Sequence, residues 1–210
     1  MLATRSCGVM SALFLVMFGV TDLVAAADEA APATEANAGA DAKSQTILKY
    51  DDGKADGKKS IAGTGEMIRF ELPDKSQKLV SLRIHCSRYG HPQAPNENAE
   101  FSVVSDDGSE VIHQEGVPYS AFKRGDNRWT TIKFAEPVTV PEQFWVILDF
   151  GAEQTKGVYI SFDTSTGGKH SRTGLPGGDM KAVNTGGDWM VQAILSKPGT
   201  SETSVTAPPK

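Results

Sequence analysis

Between residues 46 and 197, apolar and polar positions alternate with a period of two over many short runs. The clearest is KLVSLRIHC (78–86), in which Val80, Leu82, Ile84 and Cys86 fall on one side and Ser81, Arg83 and His85 on the other. Successive side chains of a strand leave opposite faces of a pleated sheet, so this period marks strands buried on one face. Similar runs are TILKY (46–50), MIRFEL (67–72), AEFSVV (99–104), EVIHQ (110–114), RWTTIKF (128–134), QFWVILDF (143–150), GVYISF (157–162) and DWMVQAIL (188–195). Turn-forming pairs such as Asp52-Gly53, Pro73-Asp74, Asp107-Gly108 and Gly186-Gly187 separate them. No window shows a helical period. The pattern predicts an all-β fold, an antiparallel β-sandwich of jelly-roll type rather than a closed barrel.

The alternation also predicts faces. QFWVILDF and GVYISF, joined by GAEQTK, read as a hairpin with Phe150 opposite Val158, Leu148 opposite Ile160 and Val146 opposite Phe162. The reverse face would then carry Asp149 with Tyr159, Ile147 with Ser161 and Trp145 with Asp163. A slip by one residue would turn Asp149 and Asp163 inward, so the parity is set by the core. In RWTTIKF, Ile132 and Phe134 point inward and Trp129 outward with Thr131 and Lys133. Trp129, Trp145, Asp149, Tyr159 and Asp163 are therefore candidates for a ligand face. Aromatic rings stack on the C–H patches of a sugar with little loss of entropy, while charged groups bond its hydroxyls. The competing reading is a sheet covered on both faces, since QFWVILDF is apolar enough for that.

A second group of candidates lies in or near GGKHSRTGLPGGD (167–179), namely His170, Arg172 and the following Asp188. The glycines suit sharp turns, and the stretch reads chiefly as a connection between strands, with ligand contact through those three residues. It matches neither a G-x-S-x-G elbow nor a phosphate-binding loop. A histidine next to a serine in sequence does not pair the two as base and nucleophile, so a small hydrolase built on His170 ranks behind a non-catalytic role.

YDDGKADGKK (50–59) brings Asp51, Asp52 and Asp56 together as candidate ligands for a structural calcium ion. The spacing is not that of an EF-hand, and Lys54, Lys58 and Lys59 oppose a cation, so two linked turns are the alternative. No pattern of zinc ligands is present. No other cofactor is expected.

The first 27 residues have the layout of a secretory signal peptide: Arg5, an apolar run over 9–20 broken by Ser11 and Gly19, then Ala25, Ala26 and Ala27. Thr21 and Asp22 end the run too early for a spanning helix, so no membrane insertion is expected after cleavage near Ala27. Cleavage removes Cys7 and leaves Cys86 alone, which excludes an internal disulfide in the mature chain. Cys86 is expected to be a small buried hydrophobe. Residues 28–45 contain no Leu, Ile, Val or aromatic residue and read as a disordered, alanine-rich acidic linker. Residues 198–210 read as a disordered Ser/Thr/Pro tail, which leaves 46–197 as a single β-sandwich domain. The net charge is −5 and no basic stripe appears, which argues against nucleic acid as a partner. The destination is a secreted or periplasmic one. The oligomeric state is not readable.

YDDG, SRYG, PYSAF, FWVILDF, TKGVYISFD, HSRTGLPGG and GDWMVQAIL, taken with their spacing over 47–195, resemble a β-sandwich module of bacterial secreted and envelope proteins. More loosely the chain is similar to galactose-binding-like jelly rolls. The resemblance implies a non-catalytic accessory or interaction role and brings no site residues with it. The expected partner is a glycan or an envelope protein. The alternative is a structural domain that recognises protein through a sheet edge.

Overall fold

The computed structural model describes residues 45–75 and 77–196. The expected leader, all but the last residue of the linker, and the C-terminal tail lie outside them. The described residues form thirteen strands. In chain order these are β1 (Thr46–Leu48), β2 (Gly57–Lys59), β3 (Gly65–Glu71), β4 (Leu79–Gly90), β5 (Asn98–Ser105), β6 (Val111–Pro118) and β7 (Arg128–Val138). They continue as β8 (Gln143–Asp149), β9 (Lys156–Asp163), β10 (Ser171–Gly174), β11 (Lys181–Ala182), β12 (Asp188–Trp189) and β13 (Val191–Leu195).

Two antiparallel sheets result. One has the order β1-β13-β4-β9-β12, with β7 also paired to β4 and β2 to β9; the other has the order β11-β10-β3-β8-β5-β6. The all-β sandwich is thus the observed architecture. Its core is the set of inward positions that the alternation marks: Leu82, Ile84 and Cys86 from β4, Ile132 and Phe134 from β7, and Val158 and Ile160 from β9. The other sheet contributes Ile68 and Phe70 from β3, Phe101 and Val103 from β5, and Phe144, Val146 and Leu148 from β8. Burying such side chains contributes roughly 1.5–3 kcal/mol each, which is what holds the two sheets together.

Three expectations need correction. Val80 is not a core residue in step with Leu82. A bulge between Leu79 and Ser81 shifts the register, and Leu79, fully buried, takes the inward place. The hairpin of β8 and β9 does not form. β8 lies between β3 and β5 in one sheet, and β9 lies beside β4 in the other. After β8 the chain turns at Gly151, at φ 50°, with its N–H donated to Asp149 Oδ1 at 2.8 Å, and crosses from sheet to sheet. Both strands meet the core from opposite sides, so their apolar parity is preserved although they are not partners. Finally, residues 167–179 are not merely a connection, because β10 inside them pairs with β3 over Ser171–Gly174.

Cys86 is a free, buried thiol, as expected, and burial pushes its pKa up to about 11. A thiol this far from ionising is a poor nucleophile. Ellman's reagent is therefore expected to leave the native domain unmodified at pH 8 and to titrate one thiol per described domain in urea. Rapid modification without denaturant would show that the core around Cys86 opens readily.

Candidate functional site

The outer face of β4, β7 and β9 carries a connected polar network between two aromatic rings. It arises from register. Trp129 on β7 stands opposite His85 on β4, and Ser87 on β4 stands opposite Tyr159 on β9. All four belong to the outward parity of their strands. The His85 and Trp129 rings lie 5.2 Å apart. His85 Nδ1 is 2.9 Å from Ser161 Oγ, and Asn127, just before β7, reaches across to donate Nδ2–H to the same oxygen at 2.8 Å. Asn127 Nδ2 also faces the Tyr159 carbonyl at 3.5 Å, while its Oδ1 accepts from the Ser87 hydroxyl at 2.5 Å.

These partners orient the Asn127 amide. A carbonyl only accepts, so the Asn127 amide nitrogen faces Tyr159 and Ser161. Ser161 Oγ then accepts the N–H of Asn127 and shares a second hydrogen bond with His85 Nδ1. The bond to Ser161 holds the imidazole in place through Nδ1. Burial lowers the His85 pKa, with the Asp51 carboxylate opposing, so the ring is neutral at pH 7. Ser161 is 1% exposed and its hydroxyl is committed on both sides, so it orients the ring and does not stand free as a nucleophile.

Two cations complete the face. Gly57 lies against the Phe162 ring, where any side chain would collide, so β2 can pair closely with β9. This places Lys58 Nζ 5.2 Å from the centroid of Tyr159. Arg83 Cζ lies 5.1 Å from the centroid of Trp129, and its Nη1 donates to Gln192 Oε1 at 3.3 Å. Gln192 Nε2 in turn donates to both oxygens of Asp51, at 3.2 and 3.0 Å. An open cleft of about 220 Å³ runs beside the network, lined by Ala55, Asp56, Gly57, Lys58, His85, Asn127 and Ser161.

The structure brings together only part of the expected set. Trp129 and Tyr159, both half-buried, lie on this face. Trp145 and Asp149 belong to the other sheet and do not share a face with Tyr159 or Asp163. Nor is Trp145 exposed: it is 6% accessible and packs with Met67, Val104 and Ile147 under Met180, with its Nε1–H donated to the Asp106 carbonyl at 2.9 Å. The physical reason is a cover over that outer face. The Asp106 turn is held by Arg69, whose Nε and Nη2 bond the carboxylate at 2.5 and 2.9 Å, and the segment after β10 folds over beside it, with the Gly177 N–H bonded to the Gly108 carbonyl.

Asp163 and Asp188 face each other across β9 and β12, both 1% exposed and both occupied in tying loops. Asp163 accepts the N–H groups of Asp52 at 2.6 Å and Ser165 at 2.7 Å. Burial raises its pKa, but these hydrogen bonds outweigh burial and leave it lowered. Asp188 accepts the His170 N–H at 2.8 Å and the Thr166 hydroxyl. His170 stacks on Tyr50 with ring centroids 3.6 Å apart and the ring planes parallel, and Arg172 Nη1 donates to the Ser171 carbonyl at 2.7 Å. Ser171 is fully buried, and its hydroxyl accepts the Trp189 N–H at 2.8 Å, so the His170 loop holds no free serine.

Asp51, Asp52 and Asp56 do not converge on one point. Asp51 meets Gln192, Asp52 Oδ1 accepts the Lys54 N–H at 2.8 Å, and Asp56 Oδ2 accepts the N–H and hydroxyl of Thr164 at 2.8 and 2.5 Å. Among the described residues no three His, Cys, Asp or Glu side chains are grouped as metal ligands.

Arg83, His85, Asn127, Ser161 and Lys58 were not expected as site residues. A signal was present for two of them, since the alternation of KLVSLRIHC already turns Arg83 and His85 outward. It lacked the partner strand that would have placed Ser161 beside them.

No family model matches the sequence, and no curated protein does. Among solved structures, the chain is similar to the clostridial cysteine protease Cwp84 after propeptide cleavage, at 11% identity and a TM-score of 0.49, covering 74% of this chain and 41% of that one. A second structure, of the cysteine protease and lectin-like domains of Cwp84, a surface-layer-associated protein of Clostridium difficile, gives 12% identity and a TM-score of 0.48 over 74% of this chain and 36% of that one. A subviral particle of infectious bursal disease virus, built of VP2, gives 14% identity and a TM-score of 0.25 over 72% and 40%. The chain thus spans about two fifths of the first structures it matches. At these identities no activity, ligand or partner of those proteins passes to it. Among the described residues no helix is long and apolar enough to cross a membrane.

Proposed function

We propose that this chain is an exported, non-catalytic binding module that takes a glycan on the outer face of β4, β7 and β9. The observation that carries the reading is that face itself. Trp129 and Tyr159 bracket a fully bonded network of His85, Ser161, Asn127 and Ser87 beside an open cleft. A pre-bonded network loses little freedom on binding, and the aromatic residues add contact area at low entropic cost. Export to the periplasm or beyond is supported by the signal-like layout of residues 1–27, and an accessory role by the resemblance to envelope modules.

A glycan array probed with the intact chain tests the reading. Binding is expected, with a loss of at least about tenfold in Trp129→Ala, and circular dichroism should report an unchanged fold. An array on which the intact chain is blank, or on which Trp129→Ala binds as well as the parent, would remove this face from consideration.

A further inference from the structure

We infer that the glycan taken by this face is an acidic one, carrying carboxylate, sulfate or phosphate groups that meet Arg83 and Lys58. The inference rests on the binding reading above and adds the charge of the ligand. Each aromatic ring of the face is already occupied by a cation: Arg83 over Trp129 and Lys58 over Tyr159. Tyr159 has Tyr89 against it as well, with the ring centroids 4.6 Å apart. The rings therefore act as platforms that hold positive charge in place, and a ligand meets the guanidinium and the ammonium before it meets a bare ring.

Among the described residues Arg83, Lys58 and Lys133, all on this face, make no ion pair with a carboxylate; the ion pairs present involve Arg69, Lys75, His113 and Lys156. The nearby carboxylates bond neutral partners, Asp51 with Gln192 and Asp56 with Thr164, and form no ion pair with Arg83 or Lys58. His85 lines the cleft beside Lys58, with its Nδ1 taken by Ser161. Arg83 and Lys58 thus offer charge and donors with no carboxylate paired to them among the described residues, and a complementary ligand supplies acceptors and negative charge. The whole chain carries a net charge of −5, so these two unpaired cations stand on an acidic protein.

Titration calorimetry of the full chain with polygalacturonate, dextran sulfate and neutral dextran tests the inference. At least one of the two anionic polymers is expected to bind, and neutral dextran not to. Affinity should fall at least about tenfold in the Arg83→Gln/Lys58→Gln double variant and on raising NaCl from about 50 to 300 mM, as screening of partly exposed charges requires. Comparing the uronate with the sulfate ester shows which anion is preferred. Lys181→Gln, on the opposite sheet, should bind like the parent, and thermal melting of every variant checks the fold. Equal binding of neutral dextran, or equal loss in Lys181→Gln, overturns the inference while the glycan reading stands. If neither anionic polymer binds and the acidic glycans of the array are also blank, the inference is overturned. If the neutral glycans fail too, the glycan reading falls with it.

Discussion

Glu66→Gln is expected to stabilise the domain by about 3 kcal/mol at pH 7, and by nothing measurable near pH 4.5. Glu66 shares the inward parity of Ile68 and Phe70 on β3 and is 1% exposed. Its Oε1 accepts the Ile61 N–H at 3.1 Å, but Oε2 is buried and has no hydrogen-bond partner among the described residues. Burial raises its pKa from the ordinary 4.5 to about 8; the backbone N–H bonds pull it back only in part, and Asp149 pushes it further up. The folded chain therefore keeps the proton over a range in which the unfolded chain has lost it. Stability that depends on this proton is fully present below pH 4.5 and is lost progressively until the pH passes about 8. Each pH unit in that window costs about 1.4 kcal/mol. Glutamine has the same shape and no proton to lose. Its buried amide N–H, like the hydroxyl of the protonated acid, lacks a partner, so that cost nearly cancels in the comparison. Urea unfolding of both proteins at pH 4.5, 6, 7 and 8 reads the divergence. Parallel stability curves would mean that the Glu66 side chain reaches water in the folded state.

How much of this was visible before the structure can be judged strand by strand. Alternation alone placed Leu82, Ile84, Cys86, Ile132, Phe134, Val146 and Leu148 in the core, because a two-residue period states which side of a sheet a residue occupies. It does not state which strand lies next door. β8 and β9 each show an apolar face, and a short connection between two such strands satisfies a hairpin and a crossing between sheets equally well. The strands that went unread are short. β2, β10 and β11 have three, four and two residues, too few to show a period, and Gly57, Gly174 and the neighbouring lysines carry no apolar signal. One further residue of the same alternation, taken N-terminally from Ile68, would have turned Glu66 inward and exposed the conflict of a carboxylate in the core.

The site follows the same division. Trp129 and Tyr159 were readable because each lies opposite a core position in its own strand. Trp145 has the same local pattern, yet a glycine-rich excursion with no periodicity of its own covers it, so exposure could not be read from the strand alone. The network of His85, Ser161 and Asn127 depends on β4 pairing with both β7 and β9, a fact of long-range register. Asp163 and Asp188 look like ligand groups in isolation. In the fold their oxygens satisfy loop N–H groups that would otherwise be buried without acceptors.

Trp189→Ala is expected to destabilise the domain by roughly 3–5 kcal/mol, a large part of the total for a domain of this kind. Trp189 is 1% exposed and lies in the core, and its backbone belongs to β12 in the first sheet. Its contacts reach the other sheet. Its N–H donates to Ser171 Oγ at 2.8 Å, and its Nε1–H donates to the Arg172 carbonyl at 3.3 Å, both on β10. One residue thus fills the core and ties the two sheets together at this end. Alanine removes the indole, leaves a cavity and takes away the bond from Nε1–H to the Arg172 carbonyl. Trp189→Phe keeps most of the apolar volume and loses only the Nε1–H bond, so it should cost about 1–2 kcal/mol, and Ser171→Ala a similar amount by stranding the Trp189 N–H. Urea midpoints should therefore rank the parent first, the phenylalanine and Ser171→Ala variants close behind, and the alanine variant far below. Amide exchange in β10 should quicken most in Trp189→Ala, since that strand loses its tie to the opposite sheet. An alanine variant with the parent's midpoint and unchanged exchange in β10 would show that the sheets are joined elsewhere.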